Sequence, residues 1–190
     1  HSRLIAPSML GKLSRMFAMI ISDFDNPFFT EMLRGASSFL RREGYHVLSY
    51  STGEDYEEEE RIVNELKSYH LAGYMILTGQ EHGHHDHIRK LLDDRKPLIT
   101  IGSVPGLETH SIFFADREGA RQATDYVIAK GHRRIACIAG PAVSSNSKER
   151  VVGYVESLAE HGMDYGSCPI VRAGLRSRHG HGYDVAMQVL

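Results

Sequence analysis

Short apolar runs alternate with helix-periodic segments along most of the chain, and this alternation restricts the fold more than any other feature. From Phe17 onward "FAMII", "YHVLSYS", "GYMILT" and "PLITIG" are strand length. Between them stand "FFTEMLRGASSFLRREG", "YEEEERIVNELKSY" and "HDHIRKLLDD", with apolar residues three and four apart. Strand, crossing helix and strand make the βαβ unit, and its repetition builds a parallel sheet with helices on its faces. After the short run "SIFF" a second series opens with "REGARQATDYVIAKG" and continues through "RIACIAG", "SKERVVGYVESLAEHG", "CPIVRA" and "HGYDVAMQVL". The pattern predicts an α/β protein of two doubly wound parallel-sheet lobes, over residues 15–115 and 116–190. The last periodic segment runs to Leu190, so the second lobe is expected to be incomplete in this chain. Residues 1–14, "HSRLIAPSMLGKLS", have no partner strand and read as a linker or a piece of a hinge.

The helices carry their own boundary signals. In the first, Phe29, Met32, Leu33, Ala36, Phe39 and Leu40 are expected to face the core, and Gly44 to end it. The second is expected to start after Asp55, to bury Ile62, Val63, Leu66 and Tyr69, and to leave "YEEEER" as a solvated acidic face. Asp116 is placed to cap the helix that Gly131 closes.

Composition excludes several classes. With 190 residues and 42% hydrophobic content the chain can bury real cores. A formal net charge of -2 and a pI of about 6.7 lack the basic excess of a domain that grips nucleic acid by itself. Cys137 and Cys168 match neither a disulfide framework nor a metal spacing and read as reduced thiols. Met16 to Ile21 is too short for the apolar stretch of a leader, and no run approaches a membrane span, so a cytoplasmic protein is expected.

In open α/β sheets ligands sit beyond the carboxyl ends of the strands. Here the loops at those ends are residues 22–28, 51–55, 78–82, 102–105 and 140–147. In the first, Asp25 or Asn26 can cap the helix and Pro27 suits its first position; Phe29 reads as core, and Phe28 as core or cleft wall. In the last, Gly140 and Pro141 make a turn, and Arg150 follows as a fork-shaped donor for ligand oxygens; the alternative is a surface ion pair with Glu149 or Glu156. "EHGHHDH" sets His84 and His87 three apart beside Asp86, yet nothing completes a metal site, so no metal or other cofactor is expected and a polar loop is preferred. The sequence holds no GxSxG elbow, GxxxxGK[ST] loop or GxGxxG fingerprint, and no enzyme is indicated.

Several segments together resemble one family. "AMIISDFDNPFFTEMLRGASSFLRREGYHVLSYSTGEDYEEE", "LAGYMIL", "ADREGARQATDYVIAKGHRRIACIAGP" and "SSNSKERVVGY" follow, in order, the effector-binding core of the LacI/GalR family of bacterial transcription regulators. The resemblance covers nearly the whole chain, and "NPFF" with "GHRRIACIAGP" and the following arginine is its most specific part. It implies a periplasmic-binding-protein-like fold, a small-molecule effector held between the lobes and a homodimer. It also implies operator DNA read by a helix-turn-helix headpiece that is absent from this chain.

Carried over position by position, the resemblance places Asp25, Asn26, Phe28, Phe29, Thr78, Asn146 and Arg150 on the effector. "IAPSMLGKLS" corresponds to the hinge helix, whose leucine wedge into the minor groove falls at Met9 or Leu10. The family's acidic residue after the fourth strand appears here as Gly102, and its stacking aromatic is replaced within "GLRSRHGH". The effector is therefore a sugar or, with Arg176, Arg178 and His179 near Arg150, an acidic or phosphorylated derivative. The alternative from another class is a solute-binding protein that delivers a sugar to a transporter.

Overall fold

The computed structural model describes residues 14–78, 85–142, 144–172 and 181–187, which divide into two units. Met9, Leu10, His82, His84, Arg176, Arg178 and His179 lie outside the described residues. Unit 1 holds residues 14–78 and 85–112; unit 2 holds the described residues from Phe113 onward.

In unit 1, β1 (Met16–Ile21), β2 (His46–Ser51), β3 (Gly73–Leu77), β4 (Leu98–Ile101) and β5 (His110–Ile112) are all parallel, in the order β2-β1-β3-β4-β5. The first strand lies inside and later strands add to both sides. Right-handed crossovers then place α1 (Pro27–Arg42) on one face and α2 (Tyr56–Leu66) and α3 (Asp86–Asp93) on the other. Ala18, Ile20, Tyr74, Ile76 and Leu98 close with Ile62, Val63, Leu66, Ile88 and Leu91 into one core. Met19 and Ile21 point to the opposite face by alternation and are buried too, so β1 is covered on both sides as a parallel sheet demands. No helix lies between β4 and β5; Val104 and Leu107 plug the core there instead. Thr100 Oγ1 fastens that crossover, 2.7 Å from Thr109 Oγ1 and 2.8 Å from Ser111 Oγ.

Among the side chains of unit 1, Phe39, Tyr69 and Glu59 depart from expectation. No residue of α1 is fully buried, and Phe39 is 61% exposed rather than in the core. The helix lies against β2 at the edge of the sheet, so only one flank of its apolar stripe is covered. Tyr69 is also exposed, because α2 stops at Leu66 and a 3-10 turn over Lys67–Tyr69 rotates it off the buried face. Glu59 is buried although the acidic run was expected to be solvated; it stands three and four residues before Ile62 and Val63, on the inward side of α2.

Unit 2 pairs β6 (Cys137–Ala139) with β7 (Ile170–Arg172) in parallel and carries α4 (Asp116–Ala129), α5 (Ser145–Glu160) and α6 (His181–Ala186). Ile128, Tyr154, Leu158 and Cys168 form its core, with Ile135, Cys137, Val155 and Met163 against them. The Tyr154 hydroxyl donates to the carbonyls of Ile135 (2.8 Å) and Cys168 (3.1 Å), sharing one proton, and burial pushes this phenol far above its usual range. Asp116 is the first residue of α4 rather than its cap; Ala115 takes the cap position without a side-chain bond.

The α4–α5 seam depends on Gly153. A Cβ there would overlap the carbonyl oxygen of Arg117 and lie 3.1 Å from the amide nitrogen of Arg121. Gly153→Ala is therefore expected to cost about 1–3 kcal/mol in urea unfolding. Gly35 in α1 has no atom within 4 Å of such a Cβ, so Gly35→Ala is expected to stabilise by about 0.5–1 kcal/mol.

Candidate functional site

The carboxyl edge of the unit 1 sheet is assembled from loops that bond to one another. The Ser22 carbonyl accepts from the Gly53 amide (2.8 Å) and the Ser51 hydroxyl (2.9 Å), and the Ile21 carbonyl accepts from the Thr52 amide. The loops after β1 and β2 are thereby one structure. Asn26 is the cap of α1, its Oδ1 accepting from the Phe28 amide at 3.0 Å, with Pro27 at the first helical position. Asp25 does not cap; its own amide is held by Asp23 Oδ1 at 2.8 Å. This entrance presents Phe28, 49% exposed, with its ring edge-on to Phe29 at 5.3 Å. Phe29 is half-buried rather than core, and supports Phe28 from behind.

Two acids at this edge were not among the sequence candidates. The carboxyl of Glu54 is pushed above its usual range by burial first and by nearby Asp23 second. "SDFDN" and "STGED" end neighbouring strands, and that adjacency is the signal that could have found them.

Thr78, 2% exposed, closes β3 at the same edge. Gly102 follows β4 with φ 96°, and a Cβ there would lie 2.7 Å from the Thr78 carbonyl oxygen. Both the backbone and the contact demand glycine, which explains why no acidic side chain stands at this position. The structure thus places Asp25, Asn26, Phe28 and Phe29 at one helix mouth, and Thr78 with Gly102 beside it on the next strands.

In unit 2, β6 runs into the loop that opens α5. The Arg172 guanidinium donates to the Gly140 carbonyl at 3.3 Å, and Ser144 caps the helix through the Ser147 amide at 3.4 Å. Asn146 is half-buried and accepts from the Ser145 hydroxyl at 3.4 Å. Arg150 projects from the second turn, its side chain 60% exposed, and its Nε donates to Asp116 Oδ1 at 2.6 Å. The expected partners were Glu149 or Glu156. Glu156 is taken instead by Arg117, whose hydrogen bond holds that carboxyl below its usual range. Asp116 thus belongs to the site, and Phe114, Ala115, Gly119 and Ala120 complete an open cleft of about 330 Å³ around the pair.

Each unit offers its own polar groups at the ends of its strands: hydroxyl, amide and aromatic side chains in unit 1, and an amide beside a paired guanidinium and carboxylate in unit 2. Among the described residues no group of three or more histidine, cysteine, aspartate or glutamate side chains could hold a metal ion. No helix among them is long and apolar enough to cross a membrane.

Residues 14–180 match the family described as periplasmic binding proteins and the sugar-binding domain of the LacI family. The transcriptional regulator DegA of Bacillus subtilis is 26% identical over 160 residues, 83% of this chain and 48% of DegA. The chain spans about half the length of the curated relatives it matches. Among solved structures, the regulator CelR in complex with cellobiose aligns with a TM-score of 0.76 at 24% identity, over 97% of this chain and 59% of that one. Cra of Pseudomonas putida, in complex with fructose 1-phosphate, aligns with a TM-score of 0.81 at 21% identity, over 92% and 63%. These likenesses establish a periplasmic-binding-protein-like α/β fold for the chain.

The cap at the mouth of α1 separates structure from binding at Asn26. Asn26→Ala is expected to lower stability by about 1 kcal/mol in thermal unfolding, and Asn26→Asp to leave it nearly unchanged, because aspartate keeps the acceptor.

Proposed function

We propose a function from one premise: the chain belongs to the family of periplasmic binding proteins and the sugar-binding domain of LacI regulators. It is the effector-sensing and dimerising part of a bacterial transcription regulator, a repressor that binds a sugar or related small molecule and changes its affinity for operator DNA. The observation that carries this reading is the match over residues 14–180, which includes the candidate loops of both units, together with relatives named as HTH-type transcriptional regulators. Effector contacts come from Asp25, Asn26, Phe28, Phe29 and Thr78 in unit 1 and from Asn146 and Arg150 in unit 2. The DNA-reading headpiece belongs to the whole regulator, the working form is a homodimer, and the reduced thiols suit the cytoplasm.

The ligand class follows from the ion pair. Asp116 cancels the charge of Arg150, so the two offer an acceptor beside a donor fork, a pattern that fits adjacent hydroxyls of a neutral sugar. An acidic or phosphorylated effector has to compete with Asp116 for the same guanidinium. Phe28 supplies the apolar surface on which the carbon face of a sugar ring packs. Because an effector shifts a conformational equilibrium only by its differential affinity, these contacts must differ between the DNA-binding and released states.

Calorimetry with a panel holding neutral disaccharides such as cellobiose and sugar phosphates such as fructose 1-phosphate tests the assignment. For the ligand that binds, Arg150→Ala is expected to weaken affinity by about 2 kcal/mol. Asp116→Asn is expected to weaken a neutral sugar and to strengthen a phosphate. Affinity unchanged by Arg150→Ala removes this residue from the site.

A further inference from the structure

The turn into α3 buries two imidazoles against α2. His85, one residue before the helix, is 2% exposed, and neither ring nitrogen has a hydrogen-bond partner among the described residues. His87 is fully buried, with Nε2 2.8 Å from Glu59 Oε1 and Nδ1 unpartnered. Tyr56 stands edge-on to both rings, its centroid 6.0 Å from that of His85 and 5.4 Å from that of His87. The backbone of His85 is left-handed, φ 38°, a conformation that persists in a side-chain-bearing residue only when its surroundings over-determine it. An imidazole without bonds is costly to bury, and an imidazolium without a counter-ion is far more so.

We propose that His85 is a proton-operated latch. Neutral, it seats the start of α3 on Tyr56 and α2; protonated, it leaves that site and frees the amino end of α3. The facing groups set the direction. Glu59, from α2, is the carboxylate nearest the rings, and its Oε1 is engaged by His87. His87 itself opposes a second positive charge. Glu60, Glu59 and Asp86 act on Tyr56, whose phenol burial and these acids push up while the His85 backbone amide pulls it back. At His85 burial is the largest influence; it exceeds the attraction of Glu59, His87 adds to it, and the imidazole is held below the ordinary histidine range.

The sign follows. The folded value lies below the unfolded one of about 6.5, so nothing is lost above roughly pH 7.5, and stability falls as pH drops through 6.5 toward the folded value. Because α3 follows β3 at the edge where Thr78 stands, mild acid loosens the loop side of the unit 1 sheet.

The test uses the whole chain. Histidine imidazoles are titrated by NMR, and α3 amide exchange is measured at pH 7.5 and 5.5 and corrected for intrinsic exchange. The expected result is a His85 titration below about 6.5, and α3 protection up to about tenfold lower at pH 5.5, with α4 amides as an unresponsive control. In His85→Asn, which tolerates the left-handed backbone but carries no proton, α3 protection should not change with pH. A His85 titration at or above the ordinary value overturns the proposal, as does an undiminished pH response in the variant. If the variant does not fold, the titration of the unaltered chain decides.

Discussion

The burial of β1 and β3 between helices on both faces is the constraint from which the rest of unit 1 follows. Ala18 to Ile21 are no more than 1% exposed, a run in which both pleat faces are apolar. Such a strand cannot lie at an edge or face water on one side, so chain must return to both flanks of it. Right-handed crossovers allow that only if α1 takes one face and α2 with α3 the other. All five strands then point the same way, and every loop that leaves a strand for the next helix gathers at one edge. The candidate loops of unit 1 are brought together by this topology, whatever residues they carry.

Local physics made much of this legible. The strand runs, the Asn26–Pro27 helix start, the Asp55 cap and the short "CIA" and "IVR" strands depend on neighbours a few residues away, and periodicity and capping chemistry report those directly. What escaped depends on partners far along the chain. Glu59 reads as one acid in an exposed run until α3 brings His87 to it from 28 residues away. Asp116 reads as a helix cap until α5 brings Arg150 to it from 34 residues away. Phe39 and Tyr69 show the opposite error. Spacing identifies an apolar stripe, but how much of the stripe is covered depends on where the helix sits on the sheet and where it stops.

Gly102 illustrates how a departure from a family pattern can have a steric cause. The resemblance marks this position, which carries an acidic side chain in the family, as one where this chain departs, with Gly102 in its place. Left-handed backbone and the Thr78 carbonyl 2.7 Å from the missing Cβ leave no room for one unless the β3 end moves. Acidic character at this edge comes instead from Asp23 and Glu54, brought together by the pairing of β1 with β2.

In unit 2 the proposed effector contact at Arg150 and the helix seam are one feature. Arg150, Gly153 and Ser157 are three and four residues apart and so share a face of α5. Each meets α4 in turn: Arg150 at Asp116, Gly153 at the Arg117 backbone, and Ser157 at Asp125, whose Oδ1 accepts its hydroxyl at 2.6 Å. Arg121 reaches across to Glu160 at the far end, so the contacts run the length of the pair. A side chain at position 153 would push the helices apart at their closest approach, one residue along α4 from Asp116. Among the described residues the guanidinium fork of Arg150 is held by its bond to that carboxylate, so its direction is set by the same close approach. Separating the helices by the width of a methyl group would release the fork without altering Arg150 or Asp116. The absence of a side chain at Gly153 is accordingly as much a condition for the proposed effector contact as the presence of one at Arg150.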